Sequence, residues 1–158
     1  MTTVTTTADS APDSSAEGSL AALVGRLAHL INHVLSPGDV AELRRMDPPA
    51  RPLGPAFFKL AAEVLEPGNA LPQGDRGRVT IEDRWAVILA GLAEMKGLHG
   101  PGFRLGRVLA DHISEQRFMR LLLSRDVLLH RTVRVTAHHL STHGAVADWT
   151  EMARLILS

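Results

Sequence analysis

Leu20, Leu23, Val24, Leu27, Leu30, Ile31, Val34 and Leu35 fall three and four residues apart, and no stretch of the chain alternates apolar and polar residues with period two. Side chains return to the same face about every 3.6 residues in a helix and about every 2 in a strand, so this periodicity predicts helices and offers no sheet. The fold class expected is all-α, a compact helical bundle whose short loops favour antiparallel neighbours. With 158 residues the chain can bury roughly two thirds of its unfolded surface in one core.

Further helices follow from their start and stop signals. In "SPGDVAELRRM" a cap at Ser36, a proline at the first helical position and Asp39 predict a short second helix. "DPPARPLGP" is a loop, and "AFFKLAAEVL" then sets Phe57, Ala61, Val64 and Leu65 on one face. After the loop "EPGNALPQGDRGRV", Thr80 and Asp83 resemble a capping box, with Trp85, Ile88, Leu89 and Leu92 inward. "GLHGPG" at 97–102 breaks the pattern and divides the chain into two expected lobes: an N-terminal helical lobe at 19–98 and a C-terminal basic helical lobe at 99–158.

In the second lobe "FRLGRVLADH" and "SEQRFMRLLLS" are consecutive short helices, the latter capped by Ser114 and burying Phe118, Leu121 and Leu122. A longer helix runs from Asp126 to about His143, with Gly144 as its C-terminal cap. The last starts at Asp148, with Glu151 three residues on, and turns Trp149, Met152, Leu155 and Ile156 inward. Residues 1–18 carry Asp9, Asp13 and Glu17 without a basic residue and read as a disordered acidic tail. They have neither the basic start and apolar centre of a secretory signal nor the arginines of a transit peptide.

Composition removes several chemistries. The chain holds no cysteine and no tyrosine, which excludes disulfides, thiolate metal sites and both nucleophiles, and fits a cytoplasmic location. No apolar run approaches the roughly 18 residues of a membrane span. The stretch "HRTVRVTAHHLSTHG" at 130–144 holds four of the eight histidines, and His139 with His143 have the i, i+4 spacing of two ligands on one ion. No glutamate stands between them and the nearest downstream acid is Asp148 beyond a glycine turn, so a solvated basic face is favoured over a metal site. "GDRGR" and "GLHGPG" lack the lysine and hydroxyl of a phosphate loop and the glycine spacing of a dinucleotide site. No catalytic residue, metal or cofactor is expected, and the chain is read as non-enzymatic.

Charge is the more informative property. The formal net charge is zero, yet residues 103–140 hold seven arginines against Asp111, Glu115 and Asp126. Arg104 and Arg107, Arg117 and Arg120, and Arg131 and Arg134 are pairs at spacing three; Arg125 stands at a helix junction, and Arg44 and Arg45 add a pair earlier. Spacing three aligns side chains on one helix surface. Arginine outnumbers lysine fifteen to two, which suits bidentate contact with phosphate or carboxylate. With four phenylalanines and two tryptophans, most at inward positions, base stacking is scarce and contact with the nucleic-acid backbone remains. A helix-turn-helix over "ISEQRFMRLLLSRDVLLHRTVRV" has too short a linker, and its second helix lacks outward asparagine or glutamine.

In this order "AELRRM", "AFFKL", "LGRVLA", "SEQRFMRLLLSRD" and "DWTEMARLIL" resemble the small subunit of type I-E CRISPR Cascade, the CasB family, over roughly residues 20–158. The resemblance implies an all-helical, non-catalytic subunit of a crRNA-guided surveillance complex in antiviral defence. The implied partners are the large subunit, the backbone subunits, a second copy of the chain, the crRNA and the target DNA with its displaced strand. Basic residues of that family help hold both DNA strands when the R-loop opens. By motif position Arg44, Arg45, Arg107, Arg120, Arg131 and Arg134 would carry that role, and the spacing pattern adds Arg104, Arg117 and Arg125.

Two departures stand out. His130 takes the place of an arginine usually adjacent to the position of Arg131, which makes part of the charge pH-dependent. Where the chain reaches Ser158 many members continue into another helix, so Trp149 and Leu155 are expected to be more exposed or covered by a partner. The alternative from another class is a helical interaction scaffold, whose arginines pair with acidic faces of neighbouring proteins and never touch nucleic acid.

Overall fold

The computed structural model describes residues 14–48, 50–74 and 77–158, with eight α-helices and no strand among them. In chain order they are α1 (Ser14–His33), α2 (Pro37–Arg45), α3 (Pro55–Leu60), α4 (Arg78–Glu94), α5 (Leu105–His112), α6 (Glu115–Leu123), α7 (Asp126–Thr142) and α8 (Trp149–Leu157). A π-helical turn at Ala61–Leu65 continues α3. The acidic tail expected at 1–18 lies outside the described residues up to 13; from Ser14 the backbone is already that of α1, ahead of the first apolar repeat at Leu20.

The bundle is organised around α4. Every residue from Trp85 to Ala93 is buried, and a helix that is apolar all round must be surrounded. α1, α2, α7 and α8 pack against it. Its small residues let those neighbours approach, above all at Gly91, where an added Cβ would overlap the Trp149 ring. Trp149 is 1% exposed, and its Nε1–H donates to the Ile88 carbonyl at 3.1 Å. This corrects the expectation that Trp149 is exposed or needs a partner: α4 covers it, and Leu155, further along α8, is half-buried against the core. Arg84 of α4 also donates to the Leu157 carbonyl at 3.0 Å, fixing the last turn of α8.

The break at 97–102 is clipped to the α7–α8 connection. Ala147 N–H donates to Leu98 O and Gly100 N–H to Ala147 O, both at 3.0 Å, while Asp148 N–H reaches Phe103 O at 2.8 Å. His99 Nδ1 accepts the Trp149 N–H at 3.0 Å, satisfying a donor that the first turn of α8 leaves without a helical partner. One hydrophobic core runs through both sides of the break, from Val24 to Ile156.

The expected caps form: Ser36 Oγ accepts from Asp39 N–H, Ser114 Oγ from Arg117 N–H, and Asp148 Oδ1 from Thr150 N–H. Gly144, at φ +63°, ends α7 as expected, with Ala145 N–H on Leu140 O. The Thr80 capping box does not form. α4 starts earlier, behind Gly77 in the left-handed region, and Arg78 in its first turn pairs with Glu82 and Glu66. Leu122, expected inside, is 39% exposed, because only Leu121 of α6 reaches the core fully.

Candidate nucleic-acid interface

α7 carries the stretch at 130–144 across the end of α4. Leu129, Val133, Thr136 and Leu140 are buried against the core, as the helical spacing requires, and Arg131, Arg134 and His138 face away. On that outer side α7, the C-terminal end of α4 and the turn after α2 enclose a cleft of about 460 Å³. Arg44, Arg131 and Arg134 line it.

These arginines are held differently. Arg44 Nε donates to Ala93 O at 2.9 Å, meeting a carbonyl that the end of α4 leaves without a helical partner. Arg134 Nη1 pairs with Asp47 Oδ1 at 2.9 Å. Both partners are substantially exposed, and such a pair contributes at most about 1 kcal/mol, so an arriving phosphate can displace Asp47. Arg131 has no ion pair among the described residues. Glu94 lies on the wall and accepts from His138 Nδ1–H at 2.8 Å. Asp47 and Glu94 therefore moderate a cleft that the arginine spacing alone makes more basic.

No phenylalanine, tyrosine or tryptophan lines the cleft; its apolar surface comes from Pro48, Ala50, Ala90, Gly91, Val127, Val135 and Ala137. Apart from the His138 and His130 imidazoles, bases have nothing to stack on there, whereas guanidinium groups offer paired donors to phosphate oxygens. His130 stands at the back with Nδ1 buried and unpartnered. Burial pushes its pKa below the ordinary histidine value; Asp83 and Asp126 pull the other way, and Arg84 adds to the lowering. The neutral ring is thus favoured, and the charge expected from this position is withheld.

The remaining arginines divide into groups. Arg117 and Arg120 line a second groove, of about 280 Å³ between α6 and α7, into which Arg131 also reaches. Arg125 is occupied: its Nη1 donates to Leu122 O at 2.9 Å and Ser124 O at 2.8 Å, closing the turn between the two helices. It borders a third recess, with Asp83, Arg84 and His130. Arg45, Arg104 and Arg107 are exposed and line neither the cleft nor the groove, so the nine arginines do not form one continuous stripe.

The histidine pair is packed rather than convergent. His139 and His143 stack ring to ring with centroids 4.4 Å apart, and His112 lies 5.8 Å from His143. His139 Nε2–H donates to His112 O at 2.7 Å and His143 Nδ1–H to His139 O at 2.8 Å. Among the described residues no group of three or more histidine or carboxylate side chains is placed to hold a metal ion. Nor is any helix among them long and apolar enough to cross a membrane. No family model, curated protein or solved structure matches the chain.

Proposed function

We propose that this chain is the non-catalytic small subunit of a crRNA-guided Cascade surveillance complex of the type I-E, CasB kind. In this role its α2–α7 cleft holds target and displaced DNA strands by their phosphates while the R-loop is open. The observation that carries the proposal is the meeting of Arg44 with Arg131 and Arg134, far from it in sequence, around one cleft without phenylalanine, tyrosine or tryptophan. A strand of arbitrary sequence needs a surface blind to its bases, because pairing to the guide supplies specificity. The all-helical fold and the ordered motifs from "AELRRM" to "DWTEMARLIL" add support. The partners that go with it are the large and backbone subunits, a second copy and the crRNA, in the cytoplasm.

The scaffold alternative draws on one observation, the Arg134–Asp47 pair, in which an arginine of the cleft already meets a carboxylate. Permanganate footprinting of the displaced strand separates the two. Cascade assembled with an Arg131→Glu/Arg134→Glu chain should leave thymines more reactive than the parent complex does. Unchanged protection in a normally assembled complex would favour the scaffold.

A further inference from the structure

The groove between α6 and α7 differs in kind from the cleft. Of the large apolar residues the fold leaves exposed, six lie on these two helices or at their ends: Met119, Leu122, Leu123, Val127, Leu128 and Val135. Leu128, Arg131 and Val135 follow one another at spacings of three and four on α7, and Leu123 stands one turn beyond Arg120 on α6. Leu123 is 71% exposed, Val135 63% and Leu128 54%. Arg117, Arg120 and Arg131 have no carboxylate partner among the described residues. Of the exposed apolar residues, Leu128 and Val135 line the groove itself, together with Ile113 and the three guanidinium groups that lack a carboxylate partner.

We infer that this groove docks an acidic amphipathic helix of a partner protein. A helix laid between two helices anchors through side chains at i, i+3 or i+4, and i+7, the spacing that separates Leu128 from Val135. Acidic residues flanking those anchors meet the three arginines. A phosphate backbone would satisfy the same cations but gain nothing from Leu128 and Val135, so charge and apolar surface together favour protein over nucleic acid. A two-fold contact with another copy would set Arg117, Arg120 and Arg131 against their own equivalents, and like charges in apposition are unfavourable. The inference stands apart from the nucleic-acid role of the cleft, except that Arg131 and Val135 line both.

Fluorescence anisotropy on the full chain tests it with three probes: a labelled helical peptide with leucines at i, i+4 and i+7 flanked by glutamates, the same peptide with lysines for glutamates, and oligothymidylate. The glutamate peptide should bind and the lysine peptide should not. Leu128→Ser, at an exposed position that lines the groove and not the cleft and leaves the fold intact by circular dichroism, should weaken the glutamate peptide about tenfold and leave oligothymidylate unchanged. Arg117→Glu/Arg120→Glu should weaken the same peptide, whereas Arg44→Gln/Arg134→Gln should touch only the oligonucleotide. Failure of the glutamate peptide to bind, equal binding of the two peptides, or loss of oligothymidylate affinity in the serine variant would overturn the inference. A dimer by sedimentation that Leu128→Ser converts to monomer would overturn it too, in favour of a second copy.

Discussion

The cleft beside α4 and the groove between α6 and α7 share Arg131 and Val135, yet their other surroundings assign them different work. In the cleft the arginines stand over small core residues, with Val127 and Val135 on the α7 wall, and among carboxylates; Asp47 and the Ala93 carbonyl hold two of them in place. In the groove they stand free beside exposed leucine and valine. The same residue type, at the same spacing, presents a preorganised polar surface in one place and an amphipathic one in the other. What a basic helix face does is therefore set by what packs around it.

The largest effect should come from Gly91, which floors the cleft and gives Trp149 its room. Gly91→Val should destabilise the chain by about 3 kcal/mol in urea unfolding, because a wide side chain must displace a packed indole. A near-neutral result would mean that the cleft does not rest on the core. Next comes the shared residue: Arg131→Glu should weaken oligothymidylate and the glutamate peptide each by about tenfold, and loss of only one would assign Arg131 to that surface alone. Ser114→Ala, which removes the α6 cap, should cost about 1 kcal/mol. The loss should fall on the peptide site, measured by hydrogen exchange of α6, with the cleft unaffected.

The gentlest handle is pH. Burial is the main cause holding the pKa of both His99 and His130 below the ordinary histidine value. The unfolded chain takes up these protons as pH falls through about 6.5 while the folded chain resists, so stability is fully present above that value and declines below it. Protonating His99 Nδ1 also removes the acceptor of the Trp149 N–H. In His99→Asn the side-chain oxygen can still accept that bond and no longer titrates, so the fall of melting temperature between pH 7 and 5.5, about one histidine titration wide, should flatten. An unchanged profile would detach His99 from it.

Much of the bundle was legible because helices announce themselves locally. Ser36, Ser114 and Asp148 cap as their positions require, and the buried stripe of α7 follows the spacing of Leu129, Val133, Thr136 and Leu140. The misjudged points depend on distant contacts. α4 begins at Arg78 rather than at Thr80 because Glu66, from another turn, holds Arg78, and Trp149 is covered by a glycine on a different helix. Leu122 lies on the side of a short helix that only grazes the core. For the site, spacing three paired Arg117 with Arg120, which line one groove, and Arg131 with Arg134, which line one cleft, but could not say which helices face one another. It grouped Arg104 and Arg107 with residues they do not join, and it gave no sign that Asp47 and Glu94 would enter the cleft. Those acids come from a turn and a helix end, where periodicity carries no signal.

The central claim, that the cleft holds nucleic acid through its phosphates, is tested most directly by the salt dependence of oligothymidylate binding to the parent chain and to Arg131→Gln/Arg134→Gln. Each neutralised phosphate contributes about −0.7 to the slope of log affinity against log salt on a single strand, so the double variant should flatten that slope by about 1.4. An equal slope in the two proteins would contradict the claim and leave the arginines of the cleft to protein contacts.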